Sequence, residues 1–199
     1  MKFSKHEIND LLFAGFMISL AFAILFSGGL NAVLSPNTGI ILALVVSFFT
    51  AGIAFLFHEM MHKYYAQKYG LRAEFRAFKG MLWLAVLFSF FGFIFAAPGA
   101  VFIWGGFINR EKNGKISLAG PMTNIVLAVL FLVLLVVFGK SGSLGYFLSV
   151  GLMINALIGA FNMIPVMPFD GAKIIAWDKG VYFITLIVAV GLYGGSFFV

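Results

Sequence analysis

The chain has 199 residues, of which 62% are hydrophobic and only 10% charged, against roughly 25% charged in a soluble globular domain. This excludes an ordinary water-soluble domain and points to an integral membrane protein. The formal charge of +6 does not indicate nucleic acid, because the Lys and Arg residues lie in short connectors beside apolar runs. The lack of cysteine excludes disulfides, thiolate ligands and cysteine nucleophiles.

The first apolar run, Leu11 to Leu30, is longer than a signal-peptide core and lacks a clear small-x-small cleavage site, so we read it as a retained helix. The second, about Gly39 to Tyr65, exceeds the ~20 residues that cross a bilayer. Charge then rises in "HKYYAQKYGLRAEFRAFKG", where Lys63, Lys68, Arg72, Arg76 and Lys79 face the single acid Glu74 and mark a cytoplasmic connector. A second basic cluster, Arg110, Lys112 and Lys115, precedes the spanning run "ISLAGPMTNIVLAVLFLVLLVVF". Further spans are expected at about Leu144 to Ile164 and Val181 to Val199.

Met81 to Phe107 separates the two basic clusters. A single crossing there would put them on opposite sides of the membrane, so re-entry or a paired crossing is expected, with Gly92, Pro98 and Gly99 as places to break it. The predicted architecture is an all-α integral membrane protein of about five transmembrane helices. A re-entrant hairpin, with room for short strands, lies between the second and third. Residues 1–199 form one domain with no separate soluble module, multi-pass in the cell membrane, with the N-terminus and the route to the site on the cytoplasmic side.

His58, Glu59, Met60, Met61 and His62 match H-E-x-x-H. On a helix, residues four apart share a face, so two imidazoles can reach one ion while Glu59 faces the adjacent quadrant. The alternative is a pair of core histidines beside an interfacial glutamate. Chance would produce the pattern in about one chain in a thousand of this composition, a small risk of the kind motif matches carry. Inserting an ionisable residue in a span costs roughly 2.5–3.5 kcal/mol, which makes such residues functional candidates by default.

Catalytic zinc usually has three protein ligands and one open position. The remaining histidine, His6, reads as a solvated N-terminal residue, and Glu7, Asp10, Glu74, Glu111 and Asp178 read as connector acids. Asp170 is the exception, in "FNMIPVMPFDGAKI", where Pro165 and Pro168 interrupt the backbone ladder after a span. Unwound backbone at membrane depth must be buried or line a wet cavity. Asp170 is either the third ligand or a turn residue, Asp-Gly being a common turn pair. Asn162 either donates to a developing oxyanion or caps the broken helix. Asn124, one turn inside the next helix, reads as a bridge to a neighbour.

Together these residues resemble the site-2 protease family of intramembrane zinc metalloproteases. The motifs are "HEMMH" on the second span, "GPMTN" opening the third, and Asn162-x-x-Pro165-x-x-Pro168-x-Asp170-Gly171 after the fourth. They cover about residues 40 to 175, and the first and last spans resemble the family only in hydropathy. The resemblance implies that His58, His62 and Asp170 bind one catalytic Zn2+, that Glu59 is the catalytic glutamate, and that Asn162 lies near the reacting carbonyl. It implies transmembrane protein substrates within the lipid bilayer; the scattered placement of the basic residues speaks against a nucleic-acid partner. Ala172 stands where a second glycine often follows Asp-Gly, and no stretch is long enough for the PDZ module many members carry. A metal transporter and a non-catalytic scaffold are the competing classes. A membrane serine protease is excluded because no histidine follows His62.

Overall fold

The computed structural model describes residues 1–31, 39–95 and 97–199. In chain order the elements are α1 (Lys5–Phe26), α2 (Gly39–Lys68), β1 (Arg72–Ala77), α3 (Lys79–Ser89), β2 (Gly99–Trp104), α4 (Arg110–Phe138), α5 (Gly142–Asn162), α6 (Asp170–Trp177) and α7 (Lys179–Gly195). The protein is mostly helical, and α1, α2, α4 and α5 are long and apolar enough to cross a membrane. The expected fifth span is shorter than its hydropathy suggested. Asp178 accepts the Val181 N–H and starts α7 at Lys179, and the helix stops at Gly195 after 17 residues. At 1.5 Å per residue that is about 25 Å, less than the ~30 Å hydrocarbon core.

The chain divides into two compact units. One holds Lys2–Leu56 and Glu74–Phe102, the other Phe57–Ala73 and Ile103–Val199 together with Met1.

In the first unit α1 packs against α3 and the opening turns of α2. Two hydroxyls inside these apolar helices bond back to their own backbone, Ser19 to the Gly15 carbonyl at 2.6 Å and Thr50 to the Val46 carbonyl at 2.7 Å, which satisfies these two without water. The segment expected to re-enter is broken as its sequence suggested. The helix α3 has 11 residues, too few to span, and the chain turns through Gly92 at φ 88°, a left-handed conformation that costs glycine little. Ala96, within that segment, lies outside the described residues. β2 then pairs with β1.

Glu7 and Asp10 are not connector acids. Both lie in α1 and are buried, at 0% and 4% exposure. The Phe78 N–H donates to the Pro98 carbonyl on the β2 side, so by alternation the N–H groups of Phe75 and Ala77 point away from β2. Phe75 N–H donates to Glu7 Oε1 at 2.9 Å and Ala77 N–H to Asp10 Oδ2 at 3.2 Å. The two carboxylates thus occupy the place of a third strand, and the strand N–H groups offset the cost of burying them.

In the second unit α4 and α5 form an antiparallel hairpin, turning at Gly139. Ala128 and Leu135 of α4 interlock with Leu148, Leu152 and Ala156 of α5, with Phe131 and Phe147 edge-on at 5.7 Å. The hairpin returns the chain to the level where α4 began. A Pro-rich loop then leads into α6, held under α5 by a core of Met163, Ile174 and Tyr182.

Candidate metal centre

The histidines lie on the last third of α2, downstream of a π-helical turn at Phe48–Gly52. His58 and His62 are one turn apart, with ring centroids at 4.7 Å and planes at 82°. Their Nε2 atoms point across Gly120 of α4. A Cβ built on Gly120 would lie 2.4 Å from His62 Nε2 and 2.5 Å from His58 Nε2, so only glycine admits both rings at this place.

Asp170 reaches them from the first position of α6, after the loop that follows α5. Gly171 packs so tightly on the end of α5 that a Cβ there would lie 2.3 Å from the Met163 carbonyl oxygen. That oxygen also accepts the Tyr182 hydroxyl at 3.0 Å, so the first turn of α6 is pinned between α5 and α7. One carboxylate oxygen, Asp170 Oδ2, is 3.3 Å from His58 Nε2 and 3.0 Å from His62 Nε2, and the other, Oδ1, is 3.5 Å from Lys173 Nζ. Burial opposes the charge of Asp170, but the adjacent imidazoles outweigh it and hold the carboxyl well below the usual carboxylate range. It therefore stands ionised, as a metal ligand must be.

The donor set fits a divalent metal. His62 Nδ1 lies 2.8 Å from the Ile116 carbonyl; that oxygen can only accept, so Nδ1 carries a hydrogen and Nε2, facing the carboxylate, is the nitrogen that can give up its proton to a metal. Two acceptors at 3.0 Å repel unless a cation or proton lies between them. Zinc bonds of about 2.0–2.1 Å in tetrahedral geometry set ligand atoms about 3.3 Å apart, close to both Asp170 separations. Among the described residues, His58, His62 and Asp170 are the one such group of three, all buried.

Glu59 is buried at 9% exposure and lies outside this trio, within electrostatic reach of His58, Asp170 and Lys173. Asn162, the last residue of α5, donates its side-chain amide to the Ile158 carbonyl of its own helix at 3.0 Å. His6 is solvated, with its side chain 64% exposed. The sequence reading missed Asn155, which is buried and bonds to Asn124, itself bonded to His58. A lone asparagine amid "GLMINALIGAF" was the available signal, since polar groups inside a span mark functional positions.

The chain resembles proteins whose names agree with this geometry. "Putative zinc metalloprotease MJ0611" of Methanocaldococcus jannaschii is 42% identical over 195 residues, 97% of this chain and 94% of that protein. The chain belongs to this zinc metalloprotease family. This metalloprotease is also 28% identical over 131 residues to "Zinc metalloprotease MJ0392" of the same organism, spanning 33% of that protein's length. With "Putative zinc metalloprotease YwhC" of Bacillus subtilis it shares 29% identity over 149 residues, 64% of that protein. No family model and no solved structure matches the metalloprotease.

Proposed function

We propose that this metalloprotease is an intramembrane enzyme of the site-2 protease kind. It hydrolyses peptide bonds within or beside transmembrane segments of other membrane proteins. The observation that carries the reading is the placement of the trio. Two of its residues sit on a 30-residue helix apolar enough to cross a membrane, and the third opens α6, just after the Pro-rich loop that follows α5. A soluble metalloprotease has no reason to bury its metal ligands in such a helix.

His58, His62 and Asp170 would hold the zinc. When bound, zinc brings the pKa of a water ligand towards ~7 and polarises a peptide carbonyl. Glu59 takes the proton from the attacking water and delivers it to the departing amine, the general base and acid role that H-E-x-x-H chemistry assigns to it. Lys173 occupies Asp170 Oδ1 and leaves Oδ2 for the metal. Asn162 has a second amide hydrogen beyond its bond to Ile158, and we assign that hydrogen to the reacting carbonyl. A helical substrate must unwind before its carbonyls can react, and the β1–β2 pair offers an edge on which an extended segment can add. The protein sits in the cell membrane, with its N-terminus and the water route to the site on the cytoplasmic side.

A metal transporter needs successive ligand sets along a path, and the described residues hold one. The deciding test uses the purified protein in proteoliposomes with a single-span test substrate, wild type against Glu59→Ala. Zinc retained with cleavage lost in the variant supports the reading. Zinc flux without cleavage, or cleavage confined to soluble unfolded peptides, overturns it.

A further inference from the structure

We propose that Asn155, whose bonds run to Asn124 and the Gly151 carbonyl and to none of the three proposed ligands, sets the tautomer of His58 through Asn124, so that both asparagines are positioning residues of the zinc site. The inference rests on the zinc reading above and follows from the direction of a chain of buried hydrogen bonds. Asn155 Nδ2 lies 2.8 Å from the Gly151 carbonyl oxygen. A carbonyl only accepts, so this end of the chain has a fixed sense and the Asn155 amide cannot be turned round without placing oxygen against oxygen. Its Oδ1 therefore faces Asn124, whose Nδ2 donates to it at 3.4 Å. That leaves Asn124 Oδ1 towards His58, with Nδ1 at 2.5 Å. An amide oxygen accepts only, so His58 Nδ1 carries a hydrogen and Nε2 is the nitrogen left to ligate the metal.

The two histidines thus reach the same state by different means. For His62 the acceptor is the Ile116 backbone carbonyl, which side-chain substitution does not remove. For His58 it is a side-chain amide, which presents oxygen or nitrogen according to how it is turned. With nitrogen towards His58, Nδ1 would become the acceptor and the proton would sit on Nε2, where it would block the metal. Asn124 and Asn155 are buried at 0% and 1% exposure, so no bulk solvent competes for these groups. Partners of this kind, which orient a ligand without touching the metal, are typically worth 10–100-fold in metal affinity.

The test uses the full-length protein in detergent. With three histidines in the chain, 15N-histidine spectra can be assigned by single substitution. In the metal-free wild type the His58 Nδ1 is expected to carry the proton; a bare Nδ1 there overturns the proposal. Asn155→Leu should weaken zinc, measured against a chromophoric chelator, by about 10–100-fold. Adding Asn124→Asp should restore affinity to near the wild-type value, because a carboxylate accepts from Nδ1–H whichever way it is turned and needs no second amide to hold it. Wild-type affinity in Asn155→Leu, or equal weakness in the single and double variants, overturns the proposal, the latter because it shows Asn155 acting by packing alone. Should Asn155→Leu fail to fold, Asn155→Ala removes the same acceptor with a smaller side chain and should weaken zinc by about 10–100-fold, with Asn124→Asp again restoring it; wild-type affinity in Asn155→Ala, or no rescue, counts against the relay. The metal-free spectrum reports the tautomer whether or not the site takes zinc, so the relay and the zinc reading fail separately.

Discussion

Gly120 and His62 meet so closely that a Cβ on the glycine would stand 2.4 Å from the imidazole Nε2. Alanine is favoured over glycine within a helix by about 1 kcal/mol, but a Cβ here must displace two buried, hydrogen-bonded rings, so Gly120→Ala should gain no thermal stability in the metal-free protein. Its zinc content should fall sharply, because the rings must turn away. Gly191→Ala, where nothing lies within 4 Å, is the control and should bind normally. Full zinc occupancy in Gly120→Ala, measured by metal analysis after desalting, would contradict the geometry described for the site.

The ligand assignment separates the four candidate residues. His58→Ala, His62→Ala and Asp170→Ala should each lose most bound zinc, while His6→Ala, altering a solvated side chain, should retain it. If Asp170→Ala kept full stoichiometry and activity, the third ligand would lie elsewhere.

Glu59 is expected to act on protons and not on the metal. Glu59→Gln keeps the shape of the side chain, so zinc stoichiometry should match wild type while cleavage of a transmembrane substrate slows at least ~10²-fold, the lower end of general acid–base contributions. Near-normal turnover would rule out that role.

What the sequence made legible followed local rules. H-E-x-x-H announced itself because both histidines lie within one turn, and Asp170 because two prolines and a glycine mark a broken backbone after a span. The break in the segment from Met81 to Phe107 was readable from charge and glycine placement. The burial of Glu7 and Asp10 was not, because their partners are backbone N–H groups of Phe75 and Ala77, 68 and 67 positions further along the chain. Their helix is also apolar enough to read as a plain span. The strand β1, "RAEFRA", hid behind its charges. The length of α7 was overread because hydropathy continues past the point where the helix ends.

Membrane topology can be checked directly because the chain has no cysteine. His62 bonds to Ile116, and the end of α2 thus lies beside the start of α4. Cysteines introduced at Gln67 and Asn113 should label with an impermeant maleimide from one and the same face, the cytoplasmic one, and a cysteine at Ser141 only from the other. Labelling of 67 and 113 from opposite faces would invert every later helix and separate Asp170 from the histidines.

The carboxylates of Glu7 and Asp10 along β1 bear on self-association. A free strand edge recruits other chains, and a two-stranded sheet has two such edges. On β1, the Phe75 and Ala77 donors are already taken, and two buried acids make that side hostile to an incoming backbone carbonyl. Two copies of the chain therefore cannot join sheets β1 to β1 through these donors. Replacing both acids would strip the Phe75 and Ala77 N–H groups of their acceptors, and the double variant should self-associate more readily than the wild type.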